Sequence, residues 1–313
     1  MIFAPGNAGV ATLRAADASE TDALQAVLEA STAQDDAAAW SGGGWSVAAW
    51  ATHTRVLALD KRIVGVVAVR AEAAPDGGMP ARVALEVAAR QAPLATMLVE
   101  GAVDLVRQSG GVRARLFVPT GAAWVQTAAA ADGFARARTI AHMLLPATAP
   151  APAVPDNPEF RLRSMRAGEE SHVLAALNRA WAGTWNFVPI TLEMLQSDLH
   201  GQREGMLLAV ERDAPDHIIA TCHAVFAPGE QNPDGNPRAW ISNVTVDPDF
   251  RGRGVSRSVL AAGIENLRAR GATSITLGVD ADNAAPFRLY QSAGFEVVSS
   301  QEAWDKVLNG AET

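Results

Sequence analysis

Two kinds of apolar spacing follow each other along the chain, and the change between them is clearest at residues 240–260. Ile241 and Val246 bound a short run rich in β-branched residues, a composition that favours a strand. From Val255 to Leu267 the apolar residues recur at helical spacing instead. The stretch therefore predicts a strand, a tight loop and a helix.

The same two spacings recur from end to end and predict an alternation of strands and helices. The glycine run at residues 41–44 predicts a break, and residues 228–237 a polar hairpin loop. The first half is predicted to contain strands at residues 10–14, 55–59, 63–69, 83–87, 116–118 and 133–145, and helices at 19–30, 94–108 and 122–131. Ahead of the 240–260 stretch, the second half is predicted to contain strands at 160–163, 206–210 and 217–226, and helices at 169–181 and 191–199.

A proline- and alanine-rich segment divides the chain into halves of similar length. Such a segment is expected to be extended and fairly stiff. We therefore predict one domain at residues 1–146, a linker at 147–158 and a second domain at 159–313. The halves also match in outline: residues 13–14 match 162–163, 85–87 match 244–246, and the Gly-Phe pair at 133–134 matches that at 294–295.

The loop after residue 250 has the chemistry of an anion site. Gly252 and Gly254 allow a sharp turn and a close approach of a ligand to the backbone. The first N–H groups of the following helix lack intrahelical partners, and its dipole favours negative charge. Arg251, Arg253 and Arg257 add positive charge. A diphosphate fits this loop, whereas an ordinary strand-to-helix turn would have the same outline.

Composition narrows the class of protein. The net charge of −8 and the scattered basic residues argue against a nucleic-acid partner. The single cysteine, Cys222, excludes an internal disulfide and a cysteine-built metal site, and its apolar neighbours predict a buried thiol. The sequence has no secretory-signal pattern and no apolar run long enough for a membrane span. We expect a cytoplasmic protein, a monomer or homodimer, with no membrane and no metal.

Two motifs in the second half resemble the GNAT acetyltransferase family. Residues 251–256 follow its acetyl-CoA pattern [QR]-x-x-G-x-[GA], except that the last position is Ser256. Residues 274–295 are similar to the family's next strand and helix, including the closing L-Y-x-x-x-G-F. The resemblance implies an α/β (α+β) chain of two tandem GNAT folds, each a mixed, mostly antiparallel twisted sheet flanked by helices.

The resemblance also implies roles for individual residues, with acetyl-CoA as co-substrate. Tyr290 lies at the general-acid position, because a phenol of pKa about 10 stays protonated at neutral pH and can donate to a thiolate. Asn283 is expected to contact the pantetheine arm and to cap its helix. Trp185, Asn186 and Phe187 are expected to line the acceptor end. The implied cofactor contacts are Val244, Val246, Arg251, Gly252, Arg253, Gly254, Val255, Ser256 and Asn283.

The general base stays open. Many family members have a glutamate on the strand before the loop, but this strand has Trp240, Ser242 and Asn243 and no carboxylate. Asp280, Asp282, Glu204 and His223 are alternatives, as are backbone carbonyls with a chain of water.

The first half is predicted to be a degenerate copy with a structural or substrate-shaping role, and the alternative is a second ligand site of different chemistry. Matching Val87 to Val246 places residues 92–95 over the loop at 251–254, so that both glycines and both arginines are lost. Ala122 falls over Asn283, and Ala129 over Tyr290.

The leading functional hypothesis is an acetyltransferase that moves the acetyl group of acetyl-CoA to an amine of a small molecule or peptide. A second is an acyl-CoA-binding sensor with little turnover, because no base is evident. A third is transfer of a longer acyl group, or transfer to a hydroxyl.

Overall fold

The computed structural model describes most of the 313 residues of the chain. The described residues are 2–3, 10–34, 53–70, 73–74, 76–150, 152–154, 157–185, 187–214, 216–232 and 234–308. The predicted break at residues 41–44 and the predicted acceptor residue Asn186 lie outside them. The chain forms two compact units, the first from residues 1–141 with 299–313 and the second from residues 142–298.

The first unit is a sheet with helices on both faces. Neighbouring strands follow the order β1-β2-β3-β4-β5-β6 and then β13. Within the described residues these strands pair antiparallel, except for the parallel pair β5–β6. Its elements are β1 (Ile2–Phe3), β2 (Val10–Ala15), α1 (Thr21–Gln34), β3 (Thr54–Leu59), β4 (Arg62–Val69), β5 (Gly78–Leu85), α2 (Ala92–Gln108), β6 (Arg113–Pro119), α3 (Ala123–Ala131) and, at its end, β13 (Glu296–Val307) from residue 299.

The second unit repeats this design. Its strands follow the order β7-β12-β11-β10-β9-β8, with β11 and β12 parallel and the pairs from β8 to β11 antiparallel. Its elements are β7 (Ala135–Leu145) from residue 142, β8 (Phe160–Ser164), α4 (Glu170–Trp181), α5 (Leu192–Asp198), β9 (Met206–Glu211), β10 (Ile218–Gln231), β11 (Pro237–Val246), α6 (Val255–Ala269), β12 (Ile275–Asp280) and α7 (Ala284–Ser292). The predicted fold class is therefore confirmed, whereas the hairpin loop at 228–237 is shorter than predicted because β10 and β11 extend into it.

Alternating side chains give each sheet two apolar faces. In the first unit Leu24 and Val27 of α1 pack on one face, and the larger cluster around α2 packs on the other. In the second unit α4 and α5 pack against β9 and β10 on one face. On the other face α6 lies so close to β10 that a Cβ at Gly263 would be 2.4 Å from the sulfur of Cys222. The predicted burial of Cys222 is confirmed.

One hydrogen-bond network occurs in both units. Arg14 of β2 donates to the carboxylate of Glu20 at 2.9 and 2.5 Å, and Arg163 of β8 donates to that of Glu169 at 2.7 and 2.7 Å. In each case the same arginine also donates to the carbonyl of the next residue, and the glutamate accepts the backbone N–H three residues before it. The match between residues 13–14 and 162–163 therefore extends to individual atoms.

The last strand belongs to the first unit for two structural reasons. Residues 301–307 pair with β6 in an unbroken antiparallel register. Asp305 also accepts from Arg115 at 2.8 and 2.7 Å, and the Arg115 side chain is fully buried. A second ion pair joins Lys306 to Asp132 at 2.8 Å. The compact units thus differ from the predicted domains at 1–146 and 159–313, because residues 142–146 fall in the second unit and 299–313 in the first.

Among the residues with described positions, no helix combines the length and apolar character needed to cross a membrane.

Candidate functional site

The second unit opens where β11 and β12 run side by side. Within the described residues their single registered pair is Trp240 with Thr276, so residues 241–246 of β11 are not in register with β12, and we call this opening the gap. The equivalent parallel pair of the first unit, β5 and β6, is in register at four positions, from Gly78 with Arg113 to Ala81 with Leu116. The gap between the two parallel strands is therefore a feature of the second unit.

Backbone N–H groups of β11 point into this gap. The N–H of Asp247 donates to Ile219 of β10 at 2.8 Å. Because successive N–H groups of a strand point to opposite sides, those of Val244 and Val246 point away from β10. They face the side on which β12 has separated, where they are available to a ligand.

A buried aspartate fixes the loop that follows β11. Asp247 is 5% exposed, and its carboxylate lies 2.6 Å from Arg179 and accepts the N–H of Asp249 at 3.0 Å. Burial opposes ionisation of Asp247, but these two partners outweigh it and hold the pKa of the carboxyl below its ordinary value. Sequence reasoning missed this anchor, although an acid between a strand and a proline is a recognisable signal for one.

Two glycines give the loop its shape. Gly252 and Gly254 both have φ of +79°, in the left-handed region that side chains with a Cβ disfavour. Gly254 is also the residue that precedes α6, so the free N–H groups of Val255 and Ser256 follow it directly. A Cβ at either glycine would meet no atom within 4 Å and would project into open space. We call the loop at residues 251–254, together with the free N–H groups of Val255 and Ser256, the cradle. Its shape and its N–H groups fit an anion such as a diphosphate.

The arginines of the loop divide into different roles. Arg251 donates to the carbonyls of Ala180 at 2.9 Å and Val246 at 3.4 Å, so it ties the loop to the end of α4. Arg253 donates to the carbonyl of Asp249 and lies over the ring of Phe250 at 4.9 Å. The prediction that both contact the cofactor stays a prediction, and the structure gives Arg251 a positioning contact.

The side chain of Tyr290, a residue of α7, is buried. It is 7% exposed, and its ring meets that of Phe295 edge-on at 6.0 Å. Burial, with a smaller contribution from Cys222, raises the pKa of the phenol above its ordinary value. The phenol therefore stays protonated at neutral pH, as a proton donor requires.

Asn283 lies where predicted, but the prediction that it caps α7 is wrong. It immediately precedes the helix, yet its side chain forms no capping hydrogen bond. A capping side chain accepts an N–H from the second or third helical residue, and the third residue here is Pro286, which has none. The side-chain amide of Asn283 is exposed, makes no hydrogen bond to the described residues and is available to a ligand.

The aromatic loop after α4 starts beside the cradle. Ala180, which accepts from Arg251, lies in the last turn of α4. Asn178 closes the base of the loop, because it donates to the carbonyl of Ile190 at 2.9 Å and accepts its N–H at 2.8 Å. Trp185 and Phe187 lie between these points and are both partly exposed.

The first unit lacks the cradle, and the predicted register of the halves needs a correction. β5 ends at Leu85 as β11 ends at Val246, so Val87 does not match Val246. Arg90 matches Arg251, since Arg90 donates to the carbonyl of Leu85 at 3.3 Å just as Arg251 donates to that of Val246. The loop before the helix is shorter in the first unit. Between the matched arginine and α2 lies only Gln91, whereas residues 252–254 lie between Arg251 and α6 in the second unit. The first half has thus lost two loop residues.

The other two substitutions of the first half lie inside its core. Ala122 and Ala129, the counterparts of Asn283 and Tyr290, are both 0% exposed. α2 and α3 pack against each other around them.

None of the candidate bases becomes a clear choice. His223 is 1% exposed, and burial, with His200 and Arg270 nearby, lowers its pKa to about 4, so its ring is neutral. Asp280 accepts the N–H of Asp282 at 2.9 Å, which describes a local turn. Glu204 lies on the surface, 3.8 Å from Arg270.

Comparison with known proteins agrees with this geometry. Residues 171–295 match the model of the acetyltransferase (GNAT) family. The chain is 34% identical to a mycothiol acetyltransferase of Thermobispora bispora over 197 residues, which is 61% of this chain and 64% of that protein. It is 32% identical to the mycothiol acetyltransferase of Acidothermus cellulolyticus over 214 residues, 64% of this chain and 63% of that protein.

Solved structures share the fold across nearly the whole chain. A GCN5-related N-acetyltransferase from Sphaerobacter thermophilus superposes with a TM-score of 0.75 at 20% identity, covering 95% of both chains. A tandem GNAT protein from the clavulanic acid biosynthesis pathway gives 0.62 at 18% identity, covering 97% of this chain and 100% of that one.

Residues 171–295 of the second unit therefore resemble the acetyltransferase domain of the GNAT family. The chain as a whole has the fold of tandem GNAT proteins. It spans less than two thirds of the length of the two mycothiol acetyltransferases that it matches.

Proposed function

We propose that the chain is an N-acetyltransferase that moves the acetyl group of acetyl-CoA to an amine of a small molecule or peptide, and that the active site lies in the second unit. The observation that carries this proposal is the gap between β11 and β12, which the loop at 251–254 and Tyr290 accompany in this unit. Acetyl-CoA fits such a site at its two ends, the thioester and the diphosphate.

The backbone supports the first chemical step. Attack of the amine nitrogen on the thioester carbon forms a C–N bond and puts negative charge on the carbonyl oxygen. An N–H group of Val244 or Val246, already fixed in β11, stabilises that charge without reorganising. The amine loses one proton, which passes to water.

Tyr290 supports the second step. Breaking the C–S bond releases a thiolate, and the phenol donates its proton to that sulfur. The tyrosinate that remains recovers a proton from solvent before the next cycle. The raised pKa of the phenol makes this recovery favourable at neutral pH.

The proposed acceptor is an amine with an apolar or aromatic body. Trp185 and Phe187 would form the wall against which that body packs, beside the end of α4. Because the relatives are named mycothiol acetyltransferases, the acceptors to be tested include mycothiol and chemically related amines as well as simple aromatic amines.

The deciding experiment measures thiol release from acetyl-CoA with a panel of amines. Release that depends on an amine, with the acetylated amine identified by mass spectrometry, supports the acetyltransferase. Tight acetyl-CoA binding without release from any amine would favour the sensor, the alternative suggested by a β11 that carries no carboxylate. Acetyl-CoA that fails to bind would contradict both.

We expect one acetyl-CoA per chain. The first unit has lost two loop residues before α2, and its parallel strands stay in register over four pairs. Titration calorimetry should therefore give a stoichiometry of one. Two sites of equal affinity, or cross-linking of a CoA photoprobe to residues around Gln91, would contradict the assignment to the second unit.

Trp185→Ala should raise the KM for the acceptor and leave the affinity for acetyl-CoA nearly constant. Removing an aromatic wall typically costs ~10-fold or more in binding. Initial rates against acceptor concentration give the KM, and calorimetry gives the acetyl-CoA affinity. Parallel loss of both affinities, or unfolding of the variant, would mean that the loop covers the core instead.

A further inference from the structure

The last turn of α4 contacts residues 247–251, the segment that leads from β11 into the cradle and that we call the cradle segment. The guanidinium of Arg179 lies 2.6 Å from the buried carboxylate of Asp247. The carbonyl of the next residue, Ala180, accepts from Arg251 at 2.9 Å. Two successive residues of α4 therefore hold the cradle segment, one at each of its ends.

The same turn also holds the aromatic loop, which we define as residues 182–190. The side chain of Asn178 donates to the carbonyl of Ile190 at 2.9 Å and accepts its N–H at 2.8 Å. The carbonyl of Trp181 accepts the N–H of Thr184 at 3.0 Å and its hydroxyl at 2.8 Å. One turn of helix therefore contacts both the cradle segment and the loop proposed to line the acceptor end.

One of the two contacts with the cradle segment occurs in both units. The repeated network of arginine and glutamate aligns α1 with α4, and this alignment places Ser31 opposite Ala180. Arg90, the counterpart of Arg251, donates to the carbonyl of Ser31 at 3.5 Å. Because the first unit keeps this contact although it lacks the cradle, the contact belongs to the common fold.

The acids that follow β5 and β11 are equivalent in their backbone contacts. The N–H of Glu86 donates to the carbonyl of Val64 in the neighbouring strand at 2.8 Å. The N–H of Asp247 donates in the same way to the carbonyl of Ile219, also at 2.8 Å. The two acids therefore leave their sheets at the same point, and their side-chain partners can be compared directly.

Those side-chain partners differ between the units. The residue of α1 opposite Arg179 is Ala30, and Glu86 pairs instead with Arg62 of β4 at 2.5 Å. A cation in the last turn complements a helix dipole, but the last turn of α1 has no basic residue, so the common fold does not require one. The ion pair between helix and acid thus accompanies the cradle, which points to a function in the second unit.

We propose that Arg179 is a positioning residue that joins the cradle to the aromatic loop, so that a ligand in the cradle stabilises the loop at the acceptor end. Arg179 acts through Asp247 and not by contact with a ligand. A ligand that holds the cradle segment in place also holds the turn of α4 bonded to it, and that turn holds the loop. The proposal rests on the proposed function, because it places CoA in the cradle.

The test uses CoA itself and needs no acceptor. Hydrogen exchange, followed by mass spectrometry on the full chain, compares peptides from the cradle with peptides that contain Trp185 and Phe187. In the wild-type chain CoA should slow exchange in both, by about three- to tenfold in the aromatic loop, the range of one partly exposed ion pair. Arg179→Gln, at a CoA concentration that saturates it, should keep the slowing in the cradle and lose it in the loop.

Two matched variants show whether the ion pair is responsible. Arg163→Gln breaks the pair with Glu169 at the other end of α4 and should keep the slowing in both places. Arg179→Lys keeps the charge and should restore most of the slowing in the loop. Arg179 is 47% exposed, so its variants should fold, and their melting temperatures check this.

A double variant tests whether Arg179 acts through Asp247. Arg179→Gln should weaken CoA about three- to tenfold in calorimetry. Arg179→Gln combined with Asp247→Asn should bind CoA no more weakly than Asp247→Asn alone, because the first substitution then has nothing left to remove. Additive losses would mean that Arg179 contacts the ligand directly and would contradict the proposal.

The outcomes separate this proposal from the proposed function. If CoA slows exchange in the cradle of the wild-type chain but not in the aromatic loop, the link is wrong and the acetyltransferase stands. If CoA does not bind the wild-type chain, the proposed function falls and the link with it. If Arg163→Gln loses the slowing in the loop as Arg179→Gln does, the general stability of α4 explains the effect and the role of Arg179 is overturned.

Discussion

Tyr290→Phe should lower turnover about 10²–10⁴-fold while the affinity for acetyl-CoA stays nearly constant. The phenol is the one group of α7 that can supply a proton to the departing thiolate from a buried position. Phenylalanine keeps the ring that meets Phe295 edge-on, so only the hydroxyl is lost. Turnover is measured by thiol release under saturating substrates, and affinity by calorimetry.

The variant also separates catalysis from packing. If Tyr290 only filled the core, its loss of one oxygen would leave turnover unchanged and would alter the melting temperature alone. A large fall in turnover at an unchanged melting temperature supports the proton donor. The pH profile offers a second readout, because the raised pKa of the phenol predicts no loss of activity from its ionisation near neutral pH.

The local design of the site follows from the sequence. β-branched residues predict β11, and glycines at 252 and 254 predict the turn, whose left-handed φ values few other residues adopt. The sequence also contains the repeated ion pair, because an arginine is followed six residues later by a glutamate at Arg14 and Glu20 and again at Arg163 and Glu169.

The alignment of the two halves shows where such reasoning fails. The Gly-Phe pairs fix the ends of the repeats but not the loops between them. Apolar alternation in a strand repeats every two residues, so matching the strands by their pattern misplaced Val87 by two positions without changing its face. The hydrogen bonds of Arg90 and Arg251 correct it, because equivalent side chains reach equivalent carbonyls. Side-chain chemistry alone did not distinguish Arg90 from the other arginines.

Two structural features could not be predicted from the sequence, for different reasons. Alternation in β13 indicates which residues share a face but not which strand lies beside it, so the return of residues 299–307 to the first unit was not predictable. The path of residues 146–149 depends on Arg268 of α6 donating to their backbone carbonyls, which every residue possesses. By contrast, the failure of Asn283 as a cap could have been predicted from Pro286.

Gly254→Val should abolish acetyl-CoA binding, with a loss on the order of 10²-fold or more, the range expected when two charge-assisted backbone contacts to a diphosphate are removed. Valine at φ of +79° is strained, and its side chain would project into the open space of the cradle. Strain alone could unfold the loop, so the variant needs a control that carries the same strain elsewhere.

Gly235→Val is that control. Gly235 lies in the turn between β10 and β11, also has φ of +79°, and also has no atom within 4 Å of a built Cβ. The two variants should therefore lose similar amounts of stability, by about 1–3 kcal/mol, in a thermal or denaturant titration. Only Gly254→Val should lose acetyl-CoA, because only its side chain enters the place of the diphosphate. If both variants bind normally, the cradle does not hold the diphosphate; if both lose binding equally, strain in the unit and not occupation of the cradle explains the effect.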